Sequence, residues 1–95
     1  MITRIVRMQL MPGKAKDFLQ VFNEVNAQIR KSEGCISVRL FKDTDDPDTV
    51  ITLSEWNTIQ DLESYRASAL FISTWRRVKP HFRAPALAFS MSEKG

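Results

Sequence analysis

Residues 50–83, VITLSEWNTIQDLESYRASALFISTWRRVKPHFR, change hydrophobic period partway along, and that change limits the folds open to the chain. Val50 to Glu55 alternates as a strand does, and Trp56 stands where the strand should end. Thr58-Ile-Gln-Asp61 then reads as a threonine helix cap with an acid at the third helical position. Ser68 is a second start signal, followed by Phe71, Trp75, Val78 and Phe82 at helical spacing, with the run ending near Pro80. One strand therefore feeds two short helices, with aromatics at each junction. Large rings at a strand end, above paired helices, sit where α+β domains tend to form small-molecule pockets.

The flanking segments complete the pattern. Ile2, Val6, Met8 and Leu10 share one strand face, interrupted by Arg4, while Ile5 stands among polar residues on the other. Pro12-Gly13 breaks this strand. Lys14–Lys31 turns to a period near ~3.6, with Phe18, Phe22, Val25 and Ile29 as the apolar stripe, widened by Val21. Gly34 is expected to supply a left-handed helix stop. Residues 35–42 alternate again, Ile36, Val38 and Leu40 opposing Cys35, Ser37, Arg39 and Phe41. Asp43–Asp48 concentrates carboxylates but lacks the glycine and distant glutamate of an EF-hand loop, so it reads as a solvated hairpin tip before strand three, Val50–Trp56. Pro85 opens a last strand, Ala86–Met91, in which Leu87, Phe89 and Met91 alternate with Ala88 and Ser90, and Ser92–Gly95 reads as a frayed end.

The order is β-α-β-β-α-α-β, an α+β, ferredoxin-like plan: a four-stranded antiparallel sheet with helices on one face. Helices can cover only one face, yet the strands carry apolar residues at both parities, including Phe41. A second copy of the chain is the expected cover, giving a face-to-face homodimer with a barrel-like interior.

Composition narrows the functions. Ninety-five residues are expected to form one domain, with its core at about residues 2–91. A net charge of +3 falls short of the basic balance that makes nucleic acid the default partner. No apolar run approaches the ~20 residues of a membrane span, and MITRIVRMQL alternates where a signal peptide needs a continuous apolar core. Cys35 is alone, which excludes an intrachain disulfide and fits a cytoplasmic location. There is one histidine, no glycine-rich phosphate loop and no ligand pair at metal spacing. Cys35 reads as a buried structural thiol. His81 is a candidate general base or axial ligand, or a surface histidine beside basic residues. Arg76, Arg77, Lys79 and Arg83 give the third helix a positive edge, explained in part by the helix dipole and alternatively by an anionic ligand. Phe71 and Trp75 fall at core spacing, whereas Trp56 either seals the sheet or stacks on a flat ring.

Ser54-Glu55-Trp56, the run Ser68-Ala69-Leu70-Phe71, and Glu33-Gly34-Cys35 leading into strand two resemble the antibiotic biosynthesis monooxygenase family, over about residues 2–91. The resemblance implies a dimeric α+β barrel whose subunits hold an apolar cavity between sheet and helices. It implies oxidation of quinols or polycyclic aromatic phenols by dioxygen without metal, flavin or haem, the substrate anion itself reacting with oxygen while the protein orients it and excludes water. The polyketide-oxidising branch of the family is matched at the strand-end tryptophan, here Trp56, and at a helix arginine, here Arg76. Thr52 stands where that branch has asparagine, and Leu62 where it has tyrosine, with Tyr65 one helical turn on. The haem-degrading branch would place Val6, Tyr65 and Trp75 at its asparagine, tryptophan and histidine positions, so its iron ligand is replaced. The resemblance thus implies Arg76, Tyr65 and His81 as catalytic candidates and Trp56, Thr52, Trp75, Phe71 and Val6 as substrate contacts. Partners would be a quinol-like aromatic, dioxygen and a second copy, with neither nucleic acid nor membrane. A non-catalytic ligand-binding or dimerisation module on the same barrel is the alternative.

Overall fold

Each change of hydrophobic period becomes an element boundary in the computed structural model, which describes residues 1–95. In chain order these are β1 (Ile2–Gln9), α1 (Ala15–Arg30), β2 (Cys35–Lys42), β3 (Thr49–Trp56), α2 (Ile59–Arg66), α3 (Ala69–Val78), a 3-10 turn (Lys79–His81) and β4 (Leu87–Met91). The strands lie in the order β2-β3-β1-β4, every neighbouring pair antiparallel, the ferredoxin-like arrangement. No helix is long and apolar enough to cross a membrane.

The helix starts are chemically specified. Thr58 Oγ1 accepts from the Asp61 N–H at 3.1 Å, and Ser68 Oγ accepts from the Phe71 N–H at 3.1 Å. Each such cap contributes about 1 kcal/mol by pairing a backbone donor that the helix leaves free. The α1 stripe then packs on the sheet in two clusters. Phe18 and Val21 meet Met8, Leu10, Val50 and Val78, while Val25 and Ile29 meet Val38.

Two features depart from the expected pattern. Gly34 does adopt a positive φ of 78°, but α1 already ends at its cap residue Lys31. Gly34 instead serves the turn Ser32–Cys35, which the Cys35 N–H closes by donating to the Ser32 carbonyl at 3.0 Å. Its carbonyl accepts from the Asn57 N–H at 2.8 Å, and a Cβ there would collide with Asp61. Glycine thus lets the entry to β2 dock on the start of α2. The second departure is a bulge in β2 between Cys35 and Ser37. One extra residue reverses the parity before it. Cys35 therefore packs with the Val25–Ile29–Val38 cluster, and Ile36 is left 50% exposed rather than aligned with Val38 and Leu40. Burial raises the Cys35 thiol above its ordinary value, which suits an unreactive packed group.

The face of the sheet away from the helices is open and carries an apolar patch interrupted by Arg7 and Arg39. Ile5 pairs with Leu53 on one side and Phe89 on the other, and Phe41 pairs with Ile51. Leu87, Phe89 and Met91 are each about half exposed.

The acidic turn between β2 and β3 uses its carboxylates internally. Asp43 Oδ2 accepts from the backbone N–H groups of Asp45 and Asp46, both at 2.9 Å. Asp46 accepts from Arg83 at 2.6 Å, from the Thr49 hydroxyl at 2.8 Å and from the Asp48 N–H at 2.9 Å. No three His, Cys, Asp or Glu side chains converge as a metal-ion set. Led by the Arg83 hydrogen bond, these contacts hold the Asp46 carboxyl at about 2, below its ordinary 3.8. A depressed carboxyl stabilises the fold above its unfolded value and loses that contribution as pH falls through the folded one. Urea midpoints should therefore decline between about pH 4 and pH 2, and Asp46→Asn should flatten that decline while lowering the midpoint at pH 7.

Candidate functional site

The strand parity that builds the core also leaves a gap in it. Side chains 4, 6 and 8 of β1 point toward the helices, with Ser54 opposite Arg4 and Thr52 opposite Val6 on β3. Above them α1, α2 and α3 arch over a cavity of about 90 Å³. Of its 18 lining residues 13 are hydrophobic, and the polar ones are Arg4, Thr52, Ser54, Arg66 and Thr74, with Tyr65 adding a phenol. An apolar chamber with few, localised polar groups has the make-up of a small-molecule site. The size is restrictive, since a cavity of about 150 Å³ is what accommodates one benzene. A single ring needs modest outward movement of the wall, and a polycyclic one needs much more.

That wall is a continuous series of aromatic contacts. Trp56 and Tyr65 stack with centroids 4.9 Å apart and planes 25° from parallel. Tyr65 meets Phe71 edge-on at 5.3 Å, Phe71 meets Trp75 at 5.7 Å, and Trp75 meets Phe82 edge-on at 5.7 Å. Tyr65, Phe71 and Trp75 reach the cavity, as do Val6 and Thr52. Trp56 does not. It is 0% exposed, its indole N–H donates to Ser54 Oγ at 3.0 Å, and it lies behind Tyr65 rather than beside a ligand. Burial, with a smaller contribution from Cys35, pushes the Tyr65 phenol up to about 12. At neutral pH it is an uncharged donor and not a base.

Arg76 and His81, expected among the catalytic residues, stand outside the cavity. Trp75 points inward, so the next residue along α3 is rotated by about 100° and Arg76 is exposed. His81 belongs to the 3-10 turn, where its carbonyl accepts from the Met11 N–H at 2.8 Å.

Three polar residues stand in the wall where the sequence did not mark them. Arg4, legible only as an interruption of strand one's apolar face, opens onto the cavity and donates to Ser90 Oγ at 3.0 Å. No carboxylate pairs with it. Burial first, and then the Arg66 charge, pull Arg4 below its ordinary value, with Glu63 acting the other way. Arg66 pairs with Glu63 at 3.2 Å. Thr74 shares the inward face of α3 with Phe71 and Val78 at helical spacing, and its Oγ1 is buried with no hydrogen-bond partner. No histidine, cysteine or carboxylate lines the chamber.

A ferredoxin-like α+β domain whose helix layer encloses an aromatic-walled ligand cavity is the class these observations define. The sequence model of the antibiotic biosynthesis monooxygenase family matches residues 1–84, and the chain belongs to that family. Similar solved structures share the fold at low identity. A candidate antibiotic biosynthesis monooxygenase from Nitrosomonas europaea superposes with a TM-score of 0.91 at 16% identity, covering 100% of both chains. A conserved protein from Methanosarcina mazei gives 0.93 at 19% identity, covering 98% of this chain and 92% of that one. A further candidate monooxygenase, from Bordetella bronchiseptica, gives 0.87 at 22% identity over 97% and 95% of the two chains. No curated protein matches the sequence significantly.

The orphaned Thr74 hydroxyl makes a prediction about stability. A buried, unpaired hydroxyl costs about 1–3 kcal/mol, so the near-isosteric Thr74→Val should raise stability by about 1 kcal/mol in thermal or urea denaturation. A loss of stability would mean that the hydroxyl is paired, by a retained water for instance.

Proposed function

We propose that the cavity binds a small quinol or phenol and that the chain oxidises it with dioxygen, the substrate supplying the electrons. The observation that carries this is the family's fold enclosing a chamber whose titratable lining is limited to Arg4, Tyr65 and Arg66. Such a lining can orient a ring and stabilise an anion, and does not itself donate electrons. The reaction balances without another reductant. A quinol with a free ring position plus dioxygen gives a hydroxyquinone plus water, two electrons coming from the quinol and two from the carbon that gains oxygen.

In this proposal Val6, Phe71 and Trp75 clamp the ring. The uncharged Tyr65 hydroxyl donates to the substrate oxygen as negative charge develops there, with Thr52 and Thr74 as further contacts. Trp56 acts through Tyr65 by holding its ring in place. The nearby Arg4 and Arg66 charges favour the ionised form of a phenol. The cavity size favours one ring over a polycyclic system, and a tetrapyrrole such as haem is far too large for it.

Oxygen uptake measured with hydroquinone in the presence of chelator should saturate with substrate and scale with protein. Tyr65→Phe should lower kcat about tenfold while changing KM little. Uptake no faster than autoxidation, with Trp fluorescence still quenched by the same compound, would make the chain a ligand-binding module instead.

A homodimer formed through the open sheet face also belongs to this proposal. Leu53, Phe41, Phe89 and their neighbours present an apolar surface that a second copy would cover. Leu53→Glu, on the central strand β3, should turn the dimer into a monomer in sedimentation velocity, since a charge would be buried within the contact. An unchanged sedimentation coefficient would remove this face from the assembly.

A further inference from the structure

Arg4 is an unusual residue to find on the covered side of a sheet. Strand parity turns it toward the helices, between Ser54 on β3 and Ser90 on β4, and each neighbour offers it only a hydroxyl. A guanidinium half-withdrawn from water needs a counter-charge, because desolvation is recovered only by pairing. The acidic side chain that acts on it, Glu63, is already committed to Arg66 at 3.2 Å. Two arginines against one glutamate leave one excess positive charge at the cavity mouth. On this side β4 presents only the small, exposed residues Ala88 and Ser90 beside it. Just inside, Thr74 Oγ1 is buried without a partner.

We propose that Arg4 and Arg66 form a carboxylate-binding mouth, and that the ligand is a single-ring phenol bearing a carboxylate. A phenol with an ordinary value near 10 is uncharged at neutral pH, so before any reaction it cannot balance the excess charge. A carboxylate can, and the planar guanidinium fork matches its two oxygens. The volume is compatible with this, because a chamber of about 90 Å³ that must already give way to admit one ring leaves no space for a hydrated carboxylate beside it. The ring enters the chamber and the charge stays at the entrance. The assignment rests on the cavity being the ligand site proposed above.

Isothermal titration with benzoate and benzamide, two probes of nearly equal shape and different charge, tests it. The unaltered chain should bind benzoate at least about tenfold more tightly than benzamide at pH 7. Arg4→Gln and Arg66→Gln should each remove most of that preference by weakening benzoate far more than benzamide, and Arg4→Lys should retain part of it. Arg66 is exposed, so its variant decides the matter should Arg4→Gln fail to fold. Equal affinity for the two probes, binding of neither at millimolar concentration, or a preference that survives in both glutamine variants would overturn the proposal. Oxygen uptake separates this from the oxidation itself. Consumption with hydroquinone but no benzoate preference overturns the mouth and keeps the reaction. A benzoate preference without uptake from either hydroquinone or 2,5-dihydroxybenzoate keeps the mouth and overturns the reaction.

Discussion

Trp56 sits at the end of β3, fully removed from water, with its indole N–H held by Ser54 and its face against Tyr65. Burying a ring of this size removes roughly 150–250 Å² from water, a gross gain of about 4–6 kcal/mol before ordering costs. That interaction fixes the distance between the last turn of α2 and the sheet. Tyr65 then positions Phe71, which positions Trp75. The helix layer is thereby propped up by rings packed against one another, and the space beneath them is the cavity. A smaller residue at 56 would leave Tyr65 without its support and free to move back into the vacated space, altering the cavity wall.

The two faces of the sheet show the same constraint in opposite ways. On the covered face, apolar parity is broken by Arg4, Thr52 and Ser54, all at the cavity, where close packing is given up for a lined space. On the open face parity is kept apolar through Ile5, Leu53 and Phe89, although solvent reaches them in the single chain. Polar groups where a core is expected, and apolar ones where solvent is expected, are the two signs of a surface meant for something else. The first suits a small ligand and the second suits a protein partner.

Much of this was legible in the sequence because it is written in periodicity. The element order and the caps at Thr58 and Ser68 follow from it, as does the shared helix face of Phe71 and Trp75, whereas Val6, Thr52 and Tyr65 were singled out only through the family resemblance. The rest was hidden for identifiable reasons. Periodicity assumes no inserted residue, so the β2 bulge exchanged Cys35 and Ile36 without any trace in the pattern. Arg76 carries the same charge as a mouth arginine, and only the rotation of α3 sends it outward. Arg4 was visible as an irregularity, but its meaning depends on β4 arriving alongside with Ser90 and no carboxylate. Trp56 was visible as a strand-end ring, while its burial depends on Tyr65, nine positions on, folding over it.

The central claim is that the ligand site is the chamber beneath Tyr65, Phe71 and Trp75, entered past Arg4. A two-dimensional NMR titration of isotope-labelled protein with 4-hydroxybenzoate tests it most directly. The account predicts that the Arg4 side-chain Nε–H and the amides of Val6, Tyr65, Thr74 and Trp75 shift together along one binding curve. Shifts confined to Arg76 and His81, or to the open face around Phe41 and Phe89, would contradict it.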